Sequence, residues 1–314
     1  MKRFLTALFA AVTAVLSLSA GAQDKFVLST QASASAQFAG YYVAQEKGFY
    51  QEEGLSVELV HPYVTQAVAD VILKDSQQAA ILPLSLAMRL VDSGLPLVNI
   101  LQTSMNSATV IISRWGADPM TLRGAKVATS RAGFGQSARS YAELEHLNYQ
   151  WIPTASAVDL FISGAVEATL GRSYDEYYRI LQTGLVRSET AVYRFENGPY
   201  NIQQEGVYVT RSYQQSHPDA VERFARASRA GWEWAAAHPE ETLDIVMRYV
   251  KLHRIETNRT LQQLMLAEVL RLQMDPDSGQ RAFRLRPDMV DKANDLMQGT
   301  GLLKRRVTFE ELMP

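Results

Sequence analysis

The sequence predicts an α/β protein of two lobes, each a mostly parallel sheet flanked by helices. From Phe26 to Leu101, short apolar segments alternate with amphipathic ones, an order typical of parallel strands joined by helices. This pattern breaks at residues 114–119 and restarts at Lys126. A last apolar strand at 206–210 predicts that the chain returns to the first lobe.

The most informative stretch runs from Gln37 to Val60 and reads QFAGYYVAQEKGFYQEEGLSVELV. Its aromatic residues recur at helical spacing on one face, and charged and amide residues fill the other face. This spacing predicts one helix that ends at Gly54, followed by a strand at 56–60. The helix begins beside the end of the strand Phe26–Leu28, where open α/β sheets bind ligands.

The remaining predicted elements complete the two lobes. The first lobe is expected at 23–114, the second at 115–207, and the return to the first lobe at 208–314, with the first passage over 112–118. Two passages between lobes permit hinge closure around a ligand. Helices are expected at 65–74, 86–91, 136–147, 158–163, 174–181, 219–237, 240–249, 256–272 and 286–297, and further strands at 78–82, 97–101, 126–129, 167–170 and 191–195.

The N-terminus has the pattern of a secretory signal peptide. Lys2 and Arg3 precede an apolar run from Phe4 to Leu18, and Ala20-Gly21-Ala22 forms an A-x-A cleavage signal. The run is shorter than the roughly 20 residues that a membrane-spanning helix needs. We therefore expect residues 1–22 to be removed after Ala22 and the mature protein to be periplasmic.

Composition excludes several classes of function. The chain has 314 residues, no cysteine and a net charge of −2. Without Lys2 and Arg3 it has 29 basic and 33 acidic residues, a net charge of −4, so nucleic acid and anionic membranes are poor partners. Disulfides, thiolate metal sites and a lipid-modified cysteine are excluded. The five histidines show no metal-binding spacing, although His61 follows the second strand and is a weak candidate for ligand contact.

The stretch from Gln37 to Glu58 resembles the first helix of one branch of ABC-transporter substrate-binding proteins, which serves nitrate, alkanesulfonates and thiamine pyrimidine precursors. The resemblance implies a type II-like periplasmic binding protein fold and a monomer that delivers a small-molecule ligand to an inner-membrane ABC permease. From the residues themselves we expect no cofactor, metal or catalytic residue. A sensing module that docks on a separate histidine kinase remains an alternative.

The same family includes thiamine-pyrimidine synthases, which are enzymes. Alignment on Ser93–Leu97 puts Leu82 at the position of their pyridoxal-phosphate lysine and Leu86 at the position of their reactive histidine. A leucine can form neither a Schiff base nor an imidazole donor. The resemblance therefore favours a binding protein over an enzyme.

Candidate ligand-binding residues lie where strands end and helices begin. By resemblance, Ser173–Tyr177 matches a family segment S-Y-N-E-Y with an aspartate in place of the asparagine, which leaves open whether Asp175 or Glu176 faces the cleft. A family loop P-E-D-G is kept only as Glu205-Gly206. The predicted binding residues are Gln37, Phe38, Tyr41, Pro83, Ser85, Asn106, Gly133, Ser137, Tyr174, Asp175, Glu176 and Glu205.

This set combines aromatic, amide and carboxylate side chains. Aromatic faces stack on flat rings, and a carboxylate accepts from an exocyclic amine. A strongly anionic ligand would need more cations than Arg131 and Arg172. The set therefore favours a thiamine-type aminopyrimidine over an alkanesulfonate or related small anion, which remains the alternative ligand.

Overall fold

The computed structural model describes residues 23–61, 79–114, 116–130, 135–186 and 188–314. The described residues form two mixed sheets of five strands, each flanked by helices. The predicted signal peptide, the predicted helix at 65–74 and Gly133 lie outside the described residues. No helix within these ranges is long and apolar enough to cross a membrane.

The first sheet has the order β2-β1-β3-β10-β4. Strand β1 is parallel to β2 and to the central strand β3, whereas β10 runs antiparallel to both β3 and β4. The strands that bury both faces read as continuous apolar runs, as expected for a sheet covered by helices. The bounds are Asp24–Ser29 for β1, Leu55–Val60 for β2, Ala79–Pro83 for β3, Leu97–Gln102 for β4 and Glu205–Thr210 for β10.

The second sheet repeats this arrangement in the order β7-β6-β8-β5-β9. Strand β6 is parallel to β7 and to the central strand β8, and β5 runs antiparallel to β8 and β9. In both sheets the antiparallel strand is the one that arrives from the other lobe. The bounds are Thr109–Ser113 for β5, Lys126–Ser130 for β6, Gln150–Thr154 for β7, Ala168–Arg172 for β8 and Val192–Arg194 for β9.

Helices cover both sheets, and the C-terminal ones return to the first. Those of the first half are α1 (Ala39–Glu46), α2 (Phe49–Glu52), α3 (Leu84–Asp92), α4 (Gln136–Leu144), α5 (Ala157–Ile162) and α6 (Glu176–Leu181). The others are α7 (Arg211–Ser216), α8 (Pro218–Ala237), α9 (Pro239–Leu252), α10 (Arg259–Leu272) and α11 (Pro287–Gln298). Proline begins α8, α9 and α11, a position where its missing N–H costs no helical hydrogen bond.

The prediction of one helix from Gln37 to Gly54 was wrong. A 3-10 turn at Ala36–Phe38 leads into α1, and α2 follows after a break. The break lies at Gly48, whose φ of 81° is left-handed and cannot continue a right-handed helix. The aromatic face nevertheless packs inward, because Tyr41, Tyr42 and Tyr50 are buried.

The first passage between the sheets comes earlier than expected. The apolar run at β5 reads like a further strand of the first lobe, but it pairs with β8 and β9 of the second. The chain therefore passes between the sheets after Gln102 and before Thr109, not over 112–118. It returns between Arg194 and Glu205, where β10 begins.

The lobes share a buried core on one side. Leu82 of β3 and Tyr208 of β10 belong to the same apolar cluster as Val127 of β6 and Leu170 of β8. Helix α4 of the second lobe also packs against α3 and α11. Hinge opening would expose this apolar surface, so the opposite side of the interface is where a cleft can form at low cost.

Candidate functional site: a cleft between the two lobes

A cleft of about 400 Å³ lies between the lobes. It opens at the carboxyl ends of β1, β3, β6, β7 and β8, the edge at which α/β sheets bind ligands. Its volume falls within the range of small-molecule sites, about 300–1,000 Å³. The geometry therefore suits a small organic molecule.

One wall comes from the first lobe and from α10. The loop after β1 supplies Gln31 to Ser35, and α10 with its preceding loop supplies residues from Ile255 to Met265. Gln262 holds these two segments together, since its Oε1 accepts from the Ala36 N–H at 2.7 Å while its Nε2 donates to Thr257 Oγ1 at 3.0 Å. This wall is thus fixed by contacts between residues far apart in the sequence.

The opposite wall comes from the second lobe. It consists of Ser130, Ala155–Val158, Leu170, Arg172 and the segment Tyr174–Glu176, with Arg179 further along α6. Pro83 and Leu86 close the floor at α3, and Gln204 and Glu205 close the side where the chain returns to the first sheet. Polar side chains from both lobes therefore face the same space.

Glu205 lies where the two walls meet. Its Oε1 accepts hydrogen bonds from Gln37 Nε2 at 2.7 Å and from the Tyr174 hydroxyl at 2.5 Å. Burial raises the pKa of Glu205, and this outweighs the opposing effects of Tyr174, Arg172 and the amides of Gln37 and Gln31. A carboxylate that is costly to bury is stabilised by added donors or a nearby cation.

Arg172 binds both neighbouring carboxylates. Its Nε and Nη2 donate to the two oxygens of Glu176 at 3.0 and 2.6 Å, and Nη2 also donates to Asp175 at 3.0 Å. Burial and the adjacent Glu176 charge raise the pKa of Asp175 to about 6. Burial would also raise the pKa of Glu176, but the Arg172 guanidinium holds it below its usual value.

The described cleft lining carries more carboxylates than cations. Asp175, Glu176, Glu205 and Glu256 face two arginines, Arg172 and Arg179. Groups of three or more side chains suited to holding a metal ion do not occur within the described ranges. The lining thus presents hydrogen-bond acceptors and a negative potential.

Six predicted residues line the cleft: Gln37, Pro83, Tyr174, Asp175, Glu176 and Glu205. Both acidic residues of the Asp175–Glu176 pair face it, which answers the question that the sequence left open. The structure thus brings together these residues from four separate segments of the chain.

Five other predicted residues lie away from the cleft. Phe38 and Tyr41 are fully buried in the first lobe, against the rings of His61 and Trp232. These aromatics face inward because the 3-10 turn Ala36–Phe38 packs on α10, while α1 packs on α8 and α9. Asn106 is occupied by Met274 O and Asn201, Ser137 is buried at the start of α4, and Ser85 is half-buried on α3 outside the cleft lining.

Sequence reasoning missed the polar residues Gln31, Gln204, Thr257 and Gln262. Gln31 had a usable signal, because it lies in the loop directly after β1. Thr257 and Gln262 had none, since α10 and its preceding loop join the cleft only through tertiary packing. His61, a weak candidate, packs behind the wall instead, bound to Thr30 and Tyr42, with a pKa lowered by burial to about 4.

A family model described as "NMT1/THI5 like" matches residues 35–242 of the chain. The chain belongs to this family. The match begins in the loop after β1 and ends in α9, so it includes both passages between the lobes and every cleft residue except those at 31–34 and 255–265. The resemblance read from Gln37 to Glu58 is thereby confirmed.

Several known proteins resemble this NMT1/THI5-like chain. A Haemophilus influenzae protein, whose name assigns it to thiamine biosynthesis, is 22% identical over 310 residues, 95% of this chain and 94% of that protein. The Escherichia coli periplasmic aliphatic sulphonate binding protein SsuA superposes with a TM-score of 0.67 at 12% identity, over 92% of this chain and 97% of that one. A ligand-binding component of an ABC-type import system from Staphylococcus aureus, with zinc bound, gives a TM-score of 0.68 at 10% identity, over 93% and 97%.

These structural likenesses show the two-lobe periplasmic binding protein fold. Of these two solved neighbours, one is a ligand-binding component of an import system and the other is a periplasmic binding protein. At 10–12% identity they carry the fold and leave the ligand of the NMT1/THI5-like chain undetermined.

Proposed function

We propose that this protein is the substrate-binding receptor of an ABC importer, acting in the periplasm as a monomer after removal of residues 1–22. The proposal is supported by the family, by the two-lobe fold and by a cleft of about 400 Å³ at the carboxyl ends of the strands. The two lobes close on a small molecule, and the closed form delivers it to the permease.

The ligand we propose is a thiamine-type aminopyrimidine, a flat heteroaromatic ring with an exocyclic amine. The observation that carries this choice is Glu205, a buried carboxylate at the meeting point of both lobes. An exocyclic amine donates to such a carboxylate, and a protonated ring neutralises it. The Tyr174 ring lies on the cleft wall, where it can stack on the pyrimidine.

The charge of the cleft argues against a sulfonate. Arg172 already forms ion pairs with Asp175 and Glu176, and the side chains of all three residues are only 13–20% exposed. An anion would meet four carboxylates in the described lining and would have to compete with two of them for Arg172. Like charges at this range are repulsive, so we expect the cleft to select neutral or cationic rings.

We also propose that the protein is not a synthase. Leu82 aligns with the pyridoxal-phosphate lysine of the thiamine-pyrimidine synthases and is completely buried in β3. Leu86 aligns with their reactive histidine and lies on the cleft floor. Neither side chain can form a Schiff base or transfer a proton. The cleft therefore has the hydrogen-bond acceptors to bind a pyrimidine, but it lacks the lysine amine and the histidine imidazole at the aligned positions.

Isothermal titration of residues 23–314 tests the ligand. A 4-aminopyrimidine with a 2-methyl group, a short alkanesulfonate and nitrate are compared at pH 7.5. We expect heat only from the pyrimidine, with a matching rise in Tm. Binding of the sulfonate or nitrate without the pyrimidine would reject the ligand and leave the receptor role.

Uptake measurements test the receptor role itself. Cells lacking the gene should accumulate less radiolabelled aminopyrimidine than the parent strain, and the wild-type gene should restore uptake. A variant with Glu205→Gln should restore it poorly. Unchanged uptake in the deletion strain would contradict the import proposal.

A further inference from the structure

A second, smaller cavity lies behind the cleft, next to the hinge. Its volume is about 10 Å³, and it shares Tyr174, Gln204 and Glu205 with the cleft, so that these three residues form the partition between the two spaces. The far side is formed by Trp232 of α8 and by Gln273, just after α10. We call this space the inner chamber.

The inner chamber is lined by hydrogen-bonding groups that have no partner among the described residues. Both amide atoms of Gln273 are buried and unpaired, and the side chain is only 2% exposed. The indole Nε1 of Trp232 is buried on the far side of the chamber, beside the Tyr41 hydroxyl. Buried polar groups are almost always paired in native proteins, so the unpaired Gln273 amide marks a place where a polar group binds.

Other polar groups of the inner chamber are already occupied. Thr103 Oγ1 donates to the Glu205 carbonyl at 3.0 Å, and Ser104 Oγ donates to Asn106 O at 2.5 Å. The groups left are therefore the acceptor and the donor of the Gln273 amide. A hydroxyl or an amine, which can both donate and accept, matches that set.

We propose that the inner chamber is a deep subsite of the cleft, which takes one hydroxyl or amine substituent of the ligand held by Glu205. This inference rests on the proposed function, because it extends the aminopyrimidine site by one group. The volume is about that of one water-sized sphere, enough for a single non-hydrogen atom. Since Glu205 borders both spaces, a ring bound to its carboxylate places a neighbouring substituent at the inner chamber.

Three aminopyrimidines that differ in one ring substituent test this proposal. The 5-methyl, 5-hydroxymethyl and 5-aminomethyl derivatives of 4-amino-2-methylpyrimidine are titrated into residues 23–314. We expect the wild type to bind at least one of the two polar derivatives about ten- to a hundredfold more tightly than the methyl derivative, because only they satisfy Gln273. In Gln273→Met, which keeps the side-chain length, this preference should fall to about twofold or less.

A matched control is Gln45→Met. Gln45 also has a buried, unpaired Oε1, but it lines neither space, and its replacement should leave the preference intact. A second measurement uses 5-fluorotryptophan and ¹⁹F NMR, with the Trp232 signal assigned from Trp232→Phe. That signal should shift with the preferred polar derivative and stay in place with the methyl derivative.

The outcomes separate the two proposals. Equal affinity for all three compounds in the wild type would overturn the inner chamber as a ligand subsite and leave the pyrimidine receptor standing. A preference that survives in Gln273→Met would overturn it as well, since the polar group would then bind elsewhere. If no pyrimidine binds the wild type, both the ligand proposal and the subsite fall.

Discussion

Gln37 and Tyr174, from different lobes, donate hydrogen bonds to the same oxygen of Glu205. Glu205 itself begins β10, the strand on which the chain returns to the first sheet. One carboxylate therefore joins the first lobe, the second lobe and the hinge. Because its burial is costly, the charge of this one side chain links ligand binding to the closed arrangement of the lobes.

Glu205→Gln should separate binding from folding. The amide oxygen can still accept from Gln37 and Tyr174, so the lobes keep their contact, while the charge that attracts an amine is lost. We expect aminopyrimidine affinity to fall about ten- to a hundredfold, a loss of about 1.5–3 kcal/mol for a charged hydrogen bond. The free energy of unfolding at pH 7 should stay level or rise. Isothermal titration and urea denaturation measure the two quantities.

Glu256→Gln is the control for that variant. Glu256 also lines the cleft, but it is exposed to solvent, and its removal should change affinity by no more than a few-fold. If Glu205→Gln and Glu256→Gln weaken binding equally, the general negative potential selects the ligand, and the specific role of Glu205 is wrong.

Asp175→Asn should stabilise the protein at neutral pH and not at acid pH. The folded-state pKa of Asp175 is about 6, above its ordinary 3.8, so the folded protein holds a proton that the unfolded chain has released. Stability linked to this group is full below about pH 4 and is lost as pH rises through 6. The variant removes that loss, and we expect a gain on the order of 2 kcal/mol at pH 8 and little at pH 4.

Urea denaturation at five pH values from 4 to 8 measures this difference. Asp159→Asn, an exposed aspartate in the first turn of α5, serves as the control and should show no comparable pH-dependent gain. A gain for Asp175→Asn that is equal at pH 4 and pH 8 would contradict the titration of Asp175 as its source.

Arg172→Met should destabilise the protein strongly. It removes the guanidinium that pairs with Asp175 and Glu176, whose side chains are only 20% and 13% exposed. Leaving a buried charge unpaired typically costs about 3–5 kcal/mol, whereas replacing both members of a buried pair costs much less. The double variant Arg172→Met/Glu176→Met should therefore be more stable than Arg172→Met alone.

An exposed ion pair gives the comparison for Arg172. Arg248 contacts Glu46 at 2.7 Å with both side chains at least 36% exposed, and Arg248→Met should cost less than about 1 kcal/mol. Equal Tm values for Arg172→Met and Arg248→Met would show that the Arg172 cluster is solvated and that its burial does not set its energy.

The order of elements and part of the site could be predicted from local sequence. Gln37, Tyr174 and Asp175 were predicted because they follow strand ends, and the carboxyl ends of strands face the cleft here. The long C-terminal helices were predicted from their apolar periodicity and lie within a few residues of the expected bounds. Local spacing is sufficient to predict a helix, a strand or a strand end when the sequence of that segment alone defines it.

Contacts between distant segments could not be predicted. Phe38 and Tyr41 closely follow Gln37, yet they turn into the core because α10 packs over the 3-10 turn that holds Phe38, and α8 and α9 pack over α1, which holds Tyr41. Gln262 and Gln273 carry no local signal, although they border the cleft and the inner chamber. The pairing of β5 with the second sheet likewise depends on long-range registers, since its apolar sequence fits either lobe.

Gly40→Ala should destabilise the protein, although alanine normally favours a helix over glycine by about 0.5–1 kcal/mol. A Cβ on Gly40 would lie 2.1 Å from the Trp232 ring, and a Cβ on Gly231 would lie 2.1 Å from the Gly40 carbonyl oxygen. Helices α1 and α8 thus meet through two glycines, and the added methyl group forces them apart. We expect a loss of about 1–3 kcal/mol in the free energy of unfolding.

A double-mutant cycle with Trp232→Leu shows whether that contact is the cause. If the Gly40 methyl group clashes with the indole, Gly40→Ala should cost clearly less in the Trp232→Leu background than in the wild type, since residues in contact are not additive. Additive losses in urea denaturation would place the strain elsewhere. If Gly40→Ala instead unfolds at a higher free energy than the wild type, α1 and α8 have room to separate. The close contact between Gly40 and the Trp232 ring would then not be required for stability.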